Sequence, residues 1–507
     1  MAVAATSAAS PEARRIRIRG ILQTFALSGS RDGLGGKLWQ VNIYVGLLIG
    51  YSAALTALGL WIARRVRGPA DFFVAGRKLT WPYIAATMLA ANIGAGATVG
   101  ATGLAYQQGV SAWFWNGSAA LGSLVLAFVV GPRIWTLAAE RGYLTVGDFL
   151  EDRYGQSVRV IIASLIWFGA LFILAGQLLL GAAVFSVVAG LPKWAGVLVG
   201  GAAMTGYFSA GGLLSSVGVS AVQLIVKFTG FALAIPILLN AAGGLDAIAG
   251  TPGLPDTFFD PLFSAGANSG FTLLLLTGPN FIVSPGLIQK IYGADGPAAV
   301  RRGVGANAIA LMIFAFLPVF LGLAARALYP GIEARDLVLP TLLLHGLPVW
   351  LGALALAAVF SAEVGACEAI LFMLSTSLSQ DLYKRTVNPA ATPGQVLRVA
   401  RVAAFVGGTA GMLLAIFAVK EIIDALAVFY SIVGATLLVP VVGGLFVRRA
   451  TSRDALAAIG AGMIGFLAIR FGTAGTGWLN QNLWGLVAST AGFIVSLTIN
   501  RGSTRDT

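Results

Sequence analysis

Ala90-Ala91-Asn92-Ile93-Gly94-Ala95-Gly96-Ala97-Thr98 sits in the middle of an apolar run, Trp81 to Tyr106, that is long enough to cross a bilayer. Two glycines and two polar side chains interrupt that run at mid-depth, where a glycine weakens a helix through its backbone entropy. A second run, starting near Gly270, is interrupted at Thr277-Gly278-Pro279-Asn280 and again at Ser284-Pro285-Gly286. Proline there removes a backbone donor and breaks the helical ladder. These are the second and the seventh apolar runs of the chain, five apart, as an inverted repeat of five plus five helices requires. Interrupted segments at matching positions in two halves point to the binding site of a secondary transporter, because freed carbonyls can ligate a cation and helix ends can meet a solute. Either break taken singly has a plain alternative, since Gly and Pro are common in membrane helices.

The rest of the chain supplies the membrane. Hydrophobic residues make up 57% and charged residues only 10%, and the mean hydropathy is +0.86, whereas soluble domains carry about 25% charge. Runs near the length of a bilayer crossing begin close to Val41, Trp81, Trp113, Val158, Pro192, Val219, Gly270, Gly305, Val349, Val399, Glu421, Ala455 and Asn482, about thirteen in all. Gly, at 66 of 507 residues, suits helices that pack backbone to backbone. The formal charge of +13 comes from Lys and Arg in short connectors, which reads as topology and not as a nucleic-acid surface. Arg64, Arg65, Arg67, Arg77 and Lys78, then Lys290, Arg301 and Arg302, then Lys384 and Arg385, then Arg448, Arg449 and Arg453 fall in connectors of one parity, which places these and the C-terminus in the cytoplasm. The basic N-terminal segment, with Arg14, Arg15, Arg17 and Arg19, runs against that orientation. A lone Cys367 permits no disulfide framework or thiol metal site within the chain. No His cluster, carboxylate metal motif or nucleophile signature appears, so an enzyme is not expected.

Several motifs then resemble those of the sodium:solute symporter family. Asp71-Phe72-Phe73-Val74-Ala75-Gly76-Arg77 is similar to its DFFLAGR signature, and Thr145-Val146-Gly147-Asp148-Phe149-Leu150-Glu151-Asp152-Arg153-Tyr154-Gly155 to the pattern of its next connector. Gly211-Gly212, Gln289-Lys290 and Asp381-Leu382-Tyr383-Lys384-Arg385 follow in the family's order. The resemblance implies an all-α integral membrane protein of about thirteen transmembrane helices, a LeuT-type five-plus-five inverted repeat with one extra N-terminal and two extra C-terminal helices. Its parts would be a polar basic segment at 1–40, a first helix and connector at 41–80, one repeat at 81–240, an extracellular connector at 241–269, the second repeat at 270–446 and C-terminal helices at 447–507.

By the same resemblance, Na+ would be held by the carbonyls of Ala90, Ile93 and Ala358 and the hydroxyl of Ser361. Ala362 stands where the family has a second serine, and Ser220 where it tends to have an Asp. A hard cation needs about five oxygens, by analogy with other hard cations, and this set supplies four. Glu363, Glu368 and Lys227 lie at membrane depth, where charges are costly and mark pathways by default. Three readings stay open: Na+ coupling through a weakened site, proton or substrate-cation coupling through Glu363, Glu368 or Lys227, and a structural lysine–glutamate pair. For the solute, the resemblance points to Asn92, Gly94, Gly96, Ala97, Gln177, Asn280, Phe281, Tyr430 and Ser431, with Trp115 as a further wall. Small residues at Gly94, Gly96 and Ala97, where sugar carriers have polar ones, count against a sugar. The function expected is import of a small organic solute by cation-coupled symport with alternating access, at the cell (inner) membrane, with no organic cofactor. A transporter-like sensor and a channel are the competing classes.

Overall fold

The computed structural model describes residues 31–64, 77–264, 269–472 and 480–503. Arg14, Arg15, Arg17, Arg19, Arg65, Arg67 and the stretch Asp71 to Gly76 lie outside the described residues. Among the described residues every regular element is a helix, and a single backbone bridge, Leu79 to Ala294, joins two connectors.

The chain enters with α1 (Arg31–Ala63), which begins ten residues before the expected start at Val41, and reaches α2 (Trp81–Asn92). A non-helical step at Ile93 to Ala95 leads into a π-helical turn, Gly96–Gly100, and α3 (Ala101–Gln108). Gly109, at φ 74°, turns the chain into α4 (Trp113–Val125) and α5 (Gly131–Arg141). After the short α6 (Val146–Tyr154) come α7 (Gln156–Ala189), α8 (Lys193–Ala241) and the connector helix α9 (Gly244–Ala249). The second half holds α10 (Ser269–Val283), α11 (Pro285–Tyr292), α12 (Pro297–Phe314), α13 (Phe316–Leu328), α14 (Val338–His345), α15 (Val349–Thr376), α16 (Pro393–Phe417), α17 (Ile422–Thr436) and α18 (Leu438–Phe446). α19 (Ser452–Gly472) and α20 (Gln481–Ser503) pack on each other and close the chain.

Among the described residues, eleven helical runs are long and apolar enough to span a membrane. All thirteen expected starts fall in helices or at their caps, and the lower number has a local cause. α3 to α5 form one run through the turn at Gly109, the 12-residue α2 is too short to span by itself, and α8 passes from the expected fifth span to the sixth without a non-helical break.

How the helices pair displays the repeat. α2 packs on α12 while α10 packs on α4, so each interrupted helix lies against the span that follows its counterpart in the other half. α7 pairs with α17 and α15 with α8 in the same reciprocal way. Large apolar side chains such as Phe128, Ile225, Ile313 and Phe405 face outward, as a lipid-facing surface requires, and Lys227, two residues from Ile225, is fully buried.

Of the two positions expected for the second interruption, the structure takes the later one. α10 runs unbroken through Thr277-Gly278-Pro279-Asn280, and the break falls at Ser284, ahead of Pro285 at the first turn of α11. Proline at that position costs no hydrogen bond, because the first amides of a helix are unpaired in any case. Within α10, Asn280 Nδ2 donates to the Leu276 carbonyl at 2.6 Å.

At one end of the bundle the family-like motifs meet. Thr145 and Asp148 form a reciprocal capping box on α6, and Thr145 Oγ1 donates to Asp381 Oδ1 at 2.5 Å. The buried Arg159 contacts Asp381 at 2.6 Å, Asp148 at 2.9 Å and also Glu151, while Arg385 approaches Glu151 at 3.4 Å. Arg77 Nη2 reaches the Tyr143 carbonyl at 2.7 Å. Connectors far apart in sequence are thereby tied into one charged cluster.

Candidate functional site

A cavity lies beside the first break, between α2, α4, α7, α10, α11, α12, α15 and α17. It offers about 80 Å³ to the centre of a water-sized sphere. Of the nine residues expected to hold solute, Asn92, Gly94, Ala97, Gln177, Phe281 and Tyr430 line it. The other three do not. Asn280 and Ser431 face a smaller neighbouring cavity behind Tyr430, and Gly96 packs under Leu426 and the Trp115 ring. The physical reason is helical phase: Tyr430 and Ser431 are adjacent on α17, so their side chains diverge by about 100°. Ser431 Oγ instead donates to Asn482 Oδ1 at 2.8 Å.

The walls are aromatic and the floor is polar. Tyr430 meets Trp115 and Phe281, each with ring centroids 5.9 Å away. Gln177 Oε1 accepts the Ala95 amide at 2.6 Å, which satisfies a donor that the break sets free. Asn116 Nδ2 donates to the Ala97 carbonyl at 2.9 Å from the facing helix. Asn92 Nδ2 donates to Asn307 Oδ1 at 3.0 Å and so ties the break to α12. No charged side chain is among the lining residues. Sequence reasoning missed Asn116 and the α15 contribution of Ala366, Ala369, Ile370 and Met373. The small residues Ala362, Ala366 and Ala369, repeating at helical spacing, were the available signal.

The expected cation ligands come together around α2, α8 and α15. Lys227 Nζ donates to the carbonyls of Ala90, at 3.0 Å, and Ile93, at 3.1 Å. Ser361 Oγ accepts from Tyr51 Oη at 2.9 Å and donates to the Gln223 carbonyl at 3.3 Å. Ala358 is buried where α15 meets Gly230 of α8. Glu368 accepts from Gln223 Nε2 at 3.2 Å. Lys290 Nζ in turn donates to the Thr87 carbonyl at 2.5 Å. Glu363 is elsewhere: its carboxylate lies against Gly181 and Gly200, where a Cβ would come within 2.9 and 2.6 Å of its oxygens. The three coupling candidates therefore separate, with Lys227 and Glu368 beside the break and Glu363 between α7 and α8.

The sequence profile of the sodium:solute symporter family matches residues 72–465. The uncharacterized symporter YidK of Escherichia coli is 26% identical over 448 residues, covering 83% of this chain and 78% of the relative. The sodium/glucose cotransporter of Vibrio parahaemolyticus is 23% identical, covering 88% and 87%. The sodium/pantothenate symporter of Escherichia coli is 28% identical, covering 77% and 82%. Among solved structures, a Na+-coupled sialic acid symporter in a substrate-bound outward-open state superposes with a TM-score of 0.80 at 19% identity, covering 90% of this chain and 97% of that one. The nucleobase-cation symporter Mhp1 superposes with a TM-score of 0.59 at 14% identity, covering 87% and 96%. These two show the shared fold.

Proposed function

The chain belongs to the sodium:solute symporter family, and on that premise we propose that it imports a small, uncharged, polar organic solute together with Na+ by alternating access. The carrying observation is the cavity at the break of α2: it has aromatic walls, hydrogen-bonding groups from Asn92, Asn116 and Gln177, and no charged lining residue. A charged solute would enter there without a counter-charge, which is costly in a low-dielectric interior. The solute binds between Trp115, Phe281 and Tyr430, and its polar groups meet Gln177 and Asn92. Na+ meets the carbonyls of Ala90, Ile93 and Ala358 and the hydroxyl of Ser361, with Ala362 lacking the hydroxyl of the family pattern. The protein is a multi-pass membrane protein; its place is the inner membrane, and the C-terminus lies in the cytoplasm together with Arg77, Arg385 and Arg448.

Counterflow in proteoliposomes tests the carrier reading over a panel of sugars, amino acids, vitamins, urea and carboxylates. Preloaded unlabelled solute accelerates labelled uptake in a carrier, and its failure to do so for every compound would remove symport as the function. Uptake driven by one imposed gradient at a time then identifies the ion. A second reading, proton coupling through Glu363, is favoured by one observation: its carboxylate is fully buried, packed against Gly181 and Gly200. Proton-driven uptake that survives in Glu363→Gln would exclude it.

A further inference from the structure

The carbonyls of Ala90 and Ile93, the pair that defines the family-type cation seat, are already engaged by the nitrogen of Lys227, at 3.0 and 3.1 Å. Lys227 is fully buried in α8, so this is no surface contact. The wall opposite is Gly365 of α15: a Cβ there would lie 3.1 Å from Lys227 Nζ, 2.7 Å from the Ala90 carbonyl oxygen and 2.6 Å from Gln223 Oε1. Only a glycine leaves the lysine and both acceptors in place. Glu368, which accepts from Gln223 Nε2 at 3.2 Å, brings a buried carboxylate to the same region. Gln223 Oε1, one turn before Lys227, is buried and receives no hydrogen bond.

We infer that Lys227 is a tethered cation of this seat, so that Na+ and the lysine nitrogen are mutually exclusive occupants of the Ala90 and Ile93 carbonyls. The inference rests on the symport reading of the preceding subsection and adds a regulating residue to it. Two cations cannot share two carbonyl oxygens a few ångströms apart in a low-dielectric interior, because their repulsion is poorly screened. Na+ therefore enters only when the side chain swings off the seat toward Glu368, and Gln223 Oε1 is then an oxygen available to replace the hydroxyl missing at Ala362. When Na+ leaves, Lys227 returns and satisfies the carbonyls that the break in α2 frees. The Na+-free carrier thus keeps an intact core as it resets. The lysine lowers apparent Na+ affinity by the fraction of time it holds the seat.

Equilibrium binding of radiolabelled Na+ to the detergent-purified protein tests this without knowledge of the solute, with choline as the balancing cation. Lys227→Met and Lys227→Gln remove the charge and keep much of the side-chain volume. If the seat is vacant in about one molecule in ten, both variants bind Na+ about tenfold more tightly than the parent. Na+ also raises their melting temperature more than it raises that of the parent. Unchanged or weaker Na+ binding in a monodisperse variant overturns the inference, and so does an absence of Na+ binding in all three proteins. Loss of symport as such is read separately, from counterflow in the parent protein.

Discussion

Arg159 Nη2 lies 2.6 Å from Asp381 Oδ1, joining the start of α7 to the segment that follows α15 across more than two hundred residues of sequence. Both side chains are buried. Asp148 and Glu151 complete the arginine's partners, so the cluster ties the two repeats together at one end of the bundle.

Asp381→Ala leaves Arg159 with an uncompensated part of its charge, a loss of about 3 kcal/mol or more for a broken buried pair. The double variant Arg159→Met/Asp381→Ala loses less than the sum of the two single changes. Thermal unfolding in detergent of the four proteins of the cycle measures this, and strict additivity would show that the pair does not couple.

Gly94→Ala abolishes uptake. A Cβ at Gly94 would come within 2.5 Å of both the Ala366 methyl carbon and Gln177 Oε1, so the break would have to move away from α7 and α15. Counterflow at parental rates in a correctly folded Gly94→Ala protein would show that the break tolerates that movement.

Gln177→Leu removes the acceptor for the Ala95 amide and leaves a buried donor unpaired, a penalty of about 1–3 kcal/mol. Solute affinity should fall about tenfold, because Gln177 also faces the cavity. Half-saturation of counterflow measures it. Ser431→Ala is the control: Ser431 lies outside the main cavity, so its half-saturation stays within about twofold of the parent, a difference below 0.5 kcal/mol.

At the opposite end, burial raises the Asp336 carboxyl to about 6, although the Ile422 amide donates to it at 2.9 Å. Its folded-state value lies above its unfolded value, so the folded state holds a proton that the unfolded state releases between about pH 4 and pH 6. The contribution to stability is full below that window and is lost as pH rises through it. Its size is at most about 2 kcal/mol, after allowance for partial exposure. Melting temperatures at about pH 5 and pH 7.5 should fall less with rising pH in Asp336→Asn than in the parent. Equal slopes in the two proteins would exclude Asp336 as the group responsible.

Much of the architecture was legible because it depends on one-dimensional properties. Apolar runs of bilayer length appear as such in the chain, and Gly94 with Gly96 marks the first break because glycine acts locally on the backbone. Of the two positions read for the second break, Gly278-Pro279 stays helical and Ser284-Pro285 interrupts the chain. Sequence shows that a proline is present, but whether it ends one helix or begins the next depends on which amides neighbouring groups satisfy.

The sequence by itself determined the membrane class, the inverted repeat, the breaking helices and the residue types at membrane depth. Only the tertiary structure decided how those residues meet. Lys227, Glu368 and Glu363 look equivalent as buried charges in a sequence, yet helix phase sends Lys227 onto the carbonyls of Ala90 and Ile93, and Glu363 to the glycines of α7 and α8. Of the adjacent Tyr430 and Ser431, only Tyr430 reaches the main cavity, for the same reason. Burial at membrane depth follows from composition, which is additive along the chain. The partner of each buried charge depends on rotation and packing between segments more than a hundred residues apart, as Lys227 and Ala90 are, and no local pattern encodes that.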